Sequence, residues 1–306
     1  MIFTRCSFFS RGCLLVLAAF AVFLLGMGPA EDTSSRSGKA LLAKYPAISG
    51  KLQKNQFAAP IYLESFESRG SQQVDMYGVF NYPFDAVKGA LQAPANWCDI
   101  TTLHINIKAC TAKRVADHWL LTIYSGRKYY QTPSDAYPLK LLYRIAAQQP
   151  DYLDLALTAA EGPLSTKNHR IRLEAVPLDR DRTFVHFSYA YTHGALANMA
   201  IKTYFATLAR DKIGFSMEPG QSGTPAFIGG VRGAVERNTV RYYLALQTYM
   251  DTLRFPEGQR FEQRLNRWYD LTARYPRQLK EVEKTDYLAN KRREHQNQIA
   301  LQKEDR

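Results

Sequence analysis

The chain has 306 residues, of which 46% are hydrophobic, 12% aromatic and 22% charged, and its formal net charge is +12. That composition belongs to a globular protein and excludes a disordered or fibrous one. Four cysteines and six histidines exclude a disulfide-dense scaffold.

Residues 1–30 read as an address. They hold no acidic residue. Arg5 and Arg11 give a basic start, an apolar run follows from Cys13 to Gly26, and Gly28 and Ala30 form a small-x-small exit before Glu31. This is the pattern of a cleaved secretory signal. The other reading is an uncleaved anchor, since the uncharged span from Gly12 to Ala30 has 19 residues, just enough to cross a bilayer. Gly26, Gly28 and Pro29 weaken its last turn. Both readings export the rest of the chain, to the periplasm of a Gram-negative cell or to the periplasmic side of its inner membrane. Without Arg5 and Arg11 the charge is +10. Export removes nucleic acid as a partner, and leaves anionic lipid headgroups or an acidic protein as the counter-charge.

Residues 31–60 read as a linker, polar and Ser-rich from Glu31 to Gly50, with room for a short helix over Ala40 to Tyr45. A compact domain is expected over 61–253. It opens with period two: Val74, Met76, Gly78 and Phe80 alternate with Asp75, Tyr77 and Val79. Pro83 then starts a helix with the stripe Phe84, Val87, Ala90 and Leu91, which Pro94 ends. Leu103 to Ala109 reads as a half-buried strand, with His104, Asn106 and Lys108 on its polar side. Further strands are expected at Trp119–Tyr124, Leu139–Ala146, Tyr152–Ala159, His169–Val176 and Thr183–Tyr191. Ala195 to Arg210 looks helical, and a Gly-, Pro- and Ser-rich loop runs from Glu218 to Gly230. A long helix follows, striped by Val231, Val235, Tyr242, Leu246, Tyr249 and Leu253, with Arg232 and Glu236 as an i, i+4 charge pair. Residues 254–306 form a basic helical tail, and Glu281 to Glu304, mostly charge and glutamine, reads as solvated or partner-bound.

Cys98 and Cys110 stay in the exported part, where disulfides persist. On one straight strand their sulfurs would lie too far apart to bond. A bond requires the chain to double back between them, and the alternative is two buried thiols. No further Cys or His sits at ligand spacing, so no metal and no cofactor is expected.

The order of elements, the segment Tyr77–Leu91 (a strand running into a helix) and the glycine-led helix Gly229–Tyr243 resemble the START-like superfamily, which includes lipid-transfer domains and polyketide cyclase-type proteins. The resemblance covers Ile61 to Leu253. It implies an α+β helix-grip fold, in which a curved antiparallel sheet wraps a long C-terminal helix, here with a helical extension. It further implies an apolar cavity between sheet and helix, the alternative being that the same residues simply pack against one another. The apolar parity of the strands names the residues that would line it: Tyr143, Leu155, Leu173, Phe187, Tyr189 and Tyr191 from the sheet, with Tyr242 and Leu246 from the helix. The only histidine of that face is His169, at one end.

Signs of catalysis are sparse. Ser222 has glycines on both sides at the wrong spacing for a nucleophile elbow. His186 and His193 read as core-edge or surface residues. Ser125–Tyr130 joins cations to aromatics and suits an anionic headgroup, or simply a solvated strand end. No catalytic residue is assigned. The expectation is an exported protein that binds or transfers a hydrophobic ligand, a lipid, with the loop from Glu218 to Gly230 as its gate and an anionic membrane surface as its dock. The alternatives are a START-like enzyme of cyclase or hydrolase type, and an adaptor that meets an envelope protein through its tail.

Overall fold

The computed structural model describes residues 36–68, 70–194, 212–220 and 223–305, within the unit Arg36–Arg306. The leader of residues 1–30, the helix expected from Ala195 to Arg210, and Ser222 lie outside the described residues. Among the described residues no helix is long and apolar enough to cross a membrane.

Period-two sequence becomes one large antiparallel sheet. Its strands are β1 (Ile61–Ser68), β2 (Ser71–Phe80), β3 (Ile107–Val115), β4 (His118–Ser125), β5 (Tyr137–Gln149), β6 (Tyr152–Glu161), β7 (Thr166–Pro177) and β8 (Thr183–His193). They lie in the order β1-β2-β8-β7-β6-β5-β4-β3. From β3 to β8 the chain meanders, and the β1–β2 hairpin then pairs with β8. The alternation read from the sequence sorts the side chains correctly. Val74, Met76, Leu153, Leu155, Leu157, Leu173 and Phe187 are buried together on one face, here called the inner face. Each such side chain contributes about 1.5–3 kcal/mol of burial.

Helix α4 (Gly230–Thr252) packs against β1, β2 and β8 on that face. Its approach to β2 is close. The Tyr243 hydroxyl sits where a side chain at position 78 would be: a Cβ on Gly78 would meet it at 1.6 Å. Glycine is therefore required there, for contact rather than for backbone conformation. Between β2 and β3 lie α2 (Phe84–Leu91), whose four stripe residues are all buried, and α3 (Pro94–Thr101). Pro94 does not merely end one helix; it occupies the first turn of the next, where its missing N–H costs nothing.

Four expectations change. First, Leu103 to Ala109 is not one strand. Residues 103–106 turn, and β3 begins only at Ile107. Cys98 sits on α3, so the chain doubles back and Cys98 bonds to Cys110 with the Cα atoms 5.0 Å apart. Second, the N-terminal linker contains α1 (Gly38–Gln53), begun by Ser37, whose side chain accepts the Ala40 N–H. Leu41, Ile48 and Leu52 of α1 cover the other, outer face of the sheet, packing with Tyr77, Val79, Tyr152, Val176 and Phe184. Third, Arg232 and Glu236 do not pair with each other. Buried Glu236 instead accepts the Phe215 N–H at 2.6 Å, the Ser216 N–H at 2.9 Å and the Ser65 hydroxyl, while Arg232 binds Ser65 and Glu218. A buried carboxylate needs several donors, and two backbone amides with the Ser65 and Ser216 hydroxyls supply them from fixed positions.

Fourth, the helix expected in Glu281–Glu304 is not free in solvent but packs on the sheet. The tail folds as α5 (Glu257–Thr272), α6 (Pro276–Leu279) and α7 (Lys284–Glu304). Strand β3 ends the sheet, and its outer backbone groups would otherwise stay unpaired. Helix α7 covers that edge with side chains. Gln298 accepts the Cys110 N–H at 3.0 Å, and Gln302 accepts the Ala112 N–H at 2.8 Å and donates to the Ala112 carbonyl at 3.2 Å. Tyr287 donates to Leu103 O, and Lys291 to His104 O and Ile107 O. Lys108, expected on the polar side, is 1% exposed beneath this helix, and His104 is 2% exposed.

Candidate functional site

The eight residues expected to line a ligand site fall into three groups. Leu155, Leu173, Phe187 and Leu246 are fully packed in the main core. Tyr143 is buried three strands from Tyr189, and its hydroxyl donates to Gln92 O at 2.8 Å, tying β5 to the end of α2. Tyr189, Tyr191 and Tyr242 are half-buried against the core. Tyr242 stacks on His104, ring centroids 4.7 Å apart. The hydroxyls of Tyr189 and Tyr242 are pushed above the usual tyrosine range by burial, and Tyr191 up to about 12 for the same reason. All three tyrosines hold their protons at neutral pH.

Around Tyr189 and Tyr191 the apolar inner face gives way to a polar end. His169 lies 5.4 Å from Tyr191 ring to ring, Tyr189 is 5.6 Å from Tyr191, and His193 is 6.1 Å beyond Tyr191. The polar groups form a chain. Tyr189 O–H donates to His169 Nδ1 at 2.9 Å, His169 Nε2–H donates to Thr166 Oγ1 at 2.8 Å, and Thr166 O–H donates to Pro163 O at 2.5 Å. Thr166 has one hydroxyl proton and spends it on Pro163, which fixes the histidine tautomer. Burial lowers the His169 pKa to about 4, so the ring is neutral. Gly162 closes over this ring: a Cβ there would stand 2.0 Å from His169 Nε2.

Two further side chains join this end that the sequence reading did not assign. Gln72, on the same face as Val74 and Met76, lies opposite Tyr191 in the β2–β8 ladder and is 1% exposed. His193 is 7% exposed. Neither the Gln72 amide O and N nor either ring nitrogen of His193 has a hydrogen-bond partner. A signal existed for Gln72, since it is the one amide in an otherwise apolar alternation. For His193 the signal was its parity with Tyr189 and Tyr191.

His186 belongs to the outer face. Its Nδ1 meets Glu174 and its Nε2 meets Asp75, each at 2.9 Å, and its ring stacks on Tyr77 at 4.5 Å. Tyr152 donates to Glu174 at 2.6 Å, and Arg172 pairs with Asp154. Burial alone would lower the His186 pKa, but its two carboxylate partners outweigh it and raise the value to about 9. This is an ionic network beneath α1 with every member engaged, and it offers no open acceptor to a substrate. Ser125–Tyr130 is committed in part, with Tyr129 53% exposed. Lys128 binds Glu281 at 2.5 Å, and Tyr130 lies under the Arg293 guanidinium at 3.7 Å. Among the described residues no group of three or more His, Cys, Asp or Glu could hold a metal ion.

No family model and no curated protein matches the chain. Solved structures are similar to it. One is a STAR-related lipid transfer protein from Xanthomonas axonopodis, 9% identical, covering 62% of this chain and 93% of its own, with a TM-score of 0.40. Human StAR-related lipid transfer protein 5 is 11% identical over 72% of this chain and 100% of its own, at 0.36. An aromatase/cyclase from Streptomyces is 10% identical over 65% of this chain and 94% of its own, at 0.32. What decides the fold is the topology already described, an open eight-stranded antiparallel sheet in which the first hairpin pairs with the last strand, laid against one long late helix. The fold is a helix-grip fold. In this chain α4 is the gripped helix, and the polar end of the grip is formed by Gln72, His169, Tyr189, Tyr191 and His193.

Proposed function

We propose that this is an exported START-like protein that binds a lipid between the inner face of its sheet and α4. Export rests on the leader pattern of residues 1–30. The observation that carries the binding role is the polar end of the inner face. Four buried polar atoms of Gln72 and His193 lack partners, and each such atom costs roughly 1–3 kcal/mol unless something fills its place. A bound amphiphile would satisfy them while its chain lies along the apolar residues beyond. The segment from Glu218 to Gly230 would gate entry, and the basic surface would dock on anionic headgroups.

The test is to purify residues 31–306 from the export compartment without detergent, extract with organic solvent and weigh what is released by mass spectrometry. A stoichiometric lipid is the expected result. An empty extract, together with a crystal structure whose interior is filled by side chains, overturns the reading and directs attention to pull-downs with the exposed face of α7.

A catalytic reading has one observation in its favour, the Tyr189–His169–Thr166 relay. A neutral imidazole bonded to a tyrosine can move a proton. If the protein is an enzyme, Tyr189→Phe abolishes turnover of the extracted compound and leaves its binding intact.

A further inference from the structure

The chemistry of the polar end restricts what the ligand carries. Gln72 offers one carbonyl acceptor and two amide hydrogens, and His193 offers its two ring nitrogens. All are buried and unpaired. No charged side chain bonds to any of Gln72, His169, Tyr189, Tyr191 or His193 among the described residues. The neutral His169 adds no charge. At the rim the balance is acidic. Glu67 stands opposite Gln72 in the β1–β2 ladder, and a shallow groove beside it holds Glu218 and Arg232, which pair with each other. A buried phosphate or carboxylate needs a cation or several charge-assisted donors, and the described groups here supply neither. A group with both a donor and an acceptor, and no charge, matches the inventory on each side.

Resting on the binding role proposed above, we infer that the ligand presents an uncharged hydroxyl-, ester- or amide-bearing head to Gln72 and His193, and that a lipid of the same chain with a phosphate head is excluded. Specificity of this kind is usually sharp, because a site built from buried hydrogen-bonding groups penalises any partner that leaves them unmatched.

The experiment compares three probes on the delipidated mature chain. Monooleoylglycerol and oleoyl lysophosphatidate differ only by the phosphate, and N-phenylnaphthylamine reports the apolar space alone. Monooleoylglycerol is expected to bind at least about tenfold more tightly than lysophosphatidate. In Gln72→Leu that preference falls by about tenfold, through weaker monooleoylglycerol binding, while the dye binds as before. His193→Phe is expected to do the same, and a thermal melt of each variant confirms that it is folded. If both lipids bind with equal strength, or lysophosphatidate binds more tightly, the head assignment is overturned and the binding role stands. If Gln72→Leu and His193→Phe both leave the preference intact, the assignment to these two residues is overturned. If no probe binds, the binding role itself fails, and the head assignment with it.

Discussion

Tyr243 shows how closely one residue can determine its neighbour. Its ring is fully buried against Phe80, and its hydroxyl, without a hydrogen-bond partner, rests on Gly78. An unpaired buried hydroxyl costs about 1–3 kcal/mol, so Tyr243→Phe should stabilise the protein by about 1 kcal/mol after allowing for the small void left behind. A urea midpoint that rises at constant slope is the check. Gly78→Ala should do the opposite, at about 1–3 kcal/mol. Tyr243→Phe should rescue it only in part, because the ring carbon that bears the hydroxyl would still lie 2.7 Å from the new methyl.

His186 makes a second residue-scale case, this time through pH. Its pKa is about 9 in the folded chain against an ordinary 6.5. A raised value means that its stabilisation is complete below 6.5 and is lost as pH climbs toward 9. Glu174 runs the other way. Burial would raise its pKa, but hydrogen bonds from His186 and Tyr152 hold it below the usual 4.5, so its contribution is lost only in acid. The expected result is a fall in stability of about 2 kcal/mol between neutral pH and pH 9. That fall should be absent from His186→Gln, measured by urea denaturation at each pH. A decline of equal size in both proteins would remove His186 from the account.

At the scale of elements, α7 and β3 form one unit. The bonds between them come from side chains on α7 to backbone on β3, so the helix does for the sheet's last strand what another strand would do. Inside the joint Glu294 holds Lys108 and Lys291, each at 2.8 Å, and all three are nearly inaccessible. Burial pushes both lysines down, Lys291 to about 8, while Glu294 holds them up. Glu294→Gln would leave two ammonium groups facing each other in the interior. Breaking a buried pair in this way costs about 3–5 kcal/mol, and the loss should appear as a lower denaturation midpoint with α7 becoming sensitive to protease. Unchanged stability would mean that the cluster is more hydrated than its exposure implies.

The same joint explains what the sequence could and could not convey. Strand alternation and the α2 stripe were legible because each is a local pattern with one apolar side. Lys291, Glu294 and Gln298 also recur at helical spacing, yet they are polar, and polar stripes normally face water. Their partners lie 184 to 188 residues away in the chain, beyond what any local period can convey. Helix α1 was legible only over Ala40 to Tyr45 for a related reason, since its three buried residues are diluted by lysine, serine and Pro46. At the candidate site the apolar positions and both strand tyrosines were legible by parity. Gln72 and His193 were not, because a lone polar residue on an apolar face gains meaning only when its missing partners can be seen.

For the whole molecule, α4 matters most. It is buried on nearly every side, by the sheet, by α3 and by α5, and Glu236 anchors residues 215 and 216 to it. Anything that binds against α4 therefore supports the common core. A ligand that binds only the folded chain adds RT ln(1 + [L]/Kd), about 2.7 kcal/mol at a hundredfold excess over Kd. For a chain of this size that corresponds to a shift in melting temperature of about 5 °C or more. On the proposed binding role, stripping the lipid from residues 31–306 should lower the melting temperature by that amount, in a single transition, and adding back the extracted lipid should restore it in proportion to the logarithm of its concentration. Gln72→Leu should behave differently. Its delipidated form should melt higher than the delipidated parent, because an unpaired amide has been removed from the interior, and it should gain less from the lipid. A stripped protein that melts where the loaded one does would show that the core is complete without a ligand.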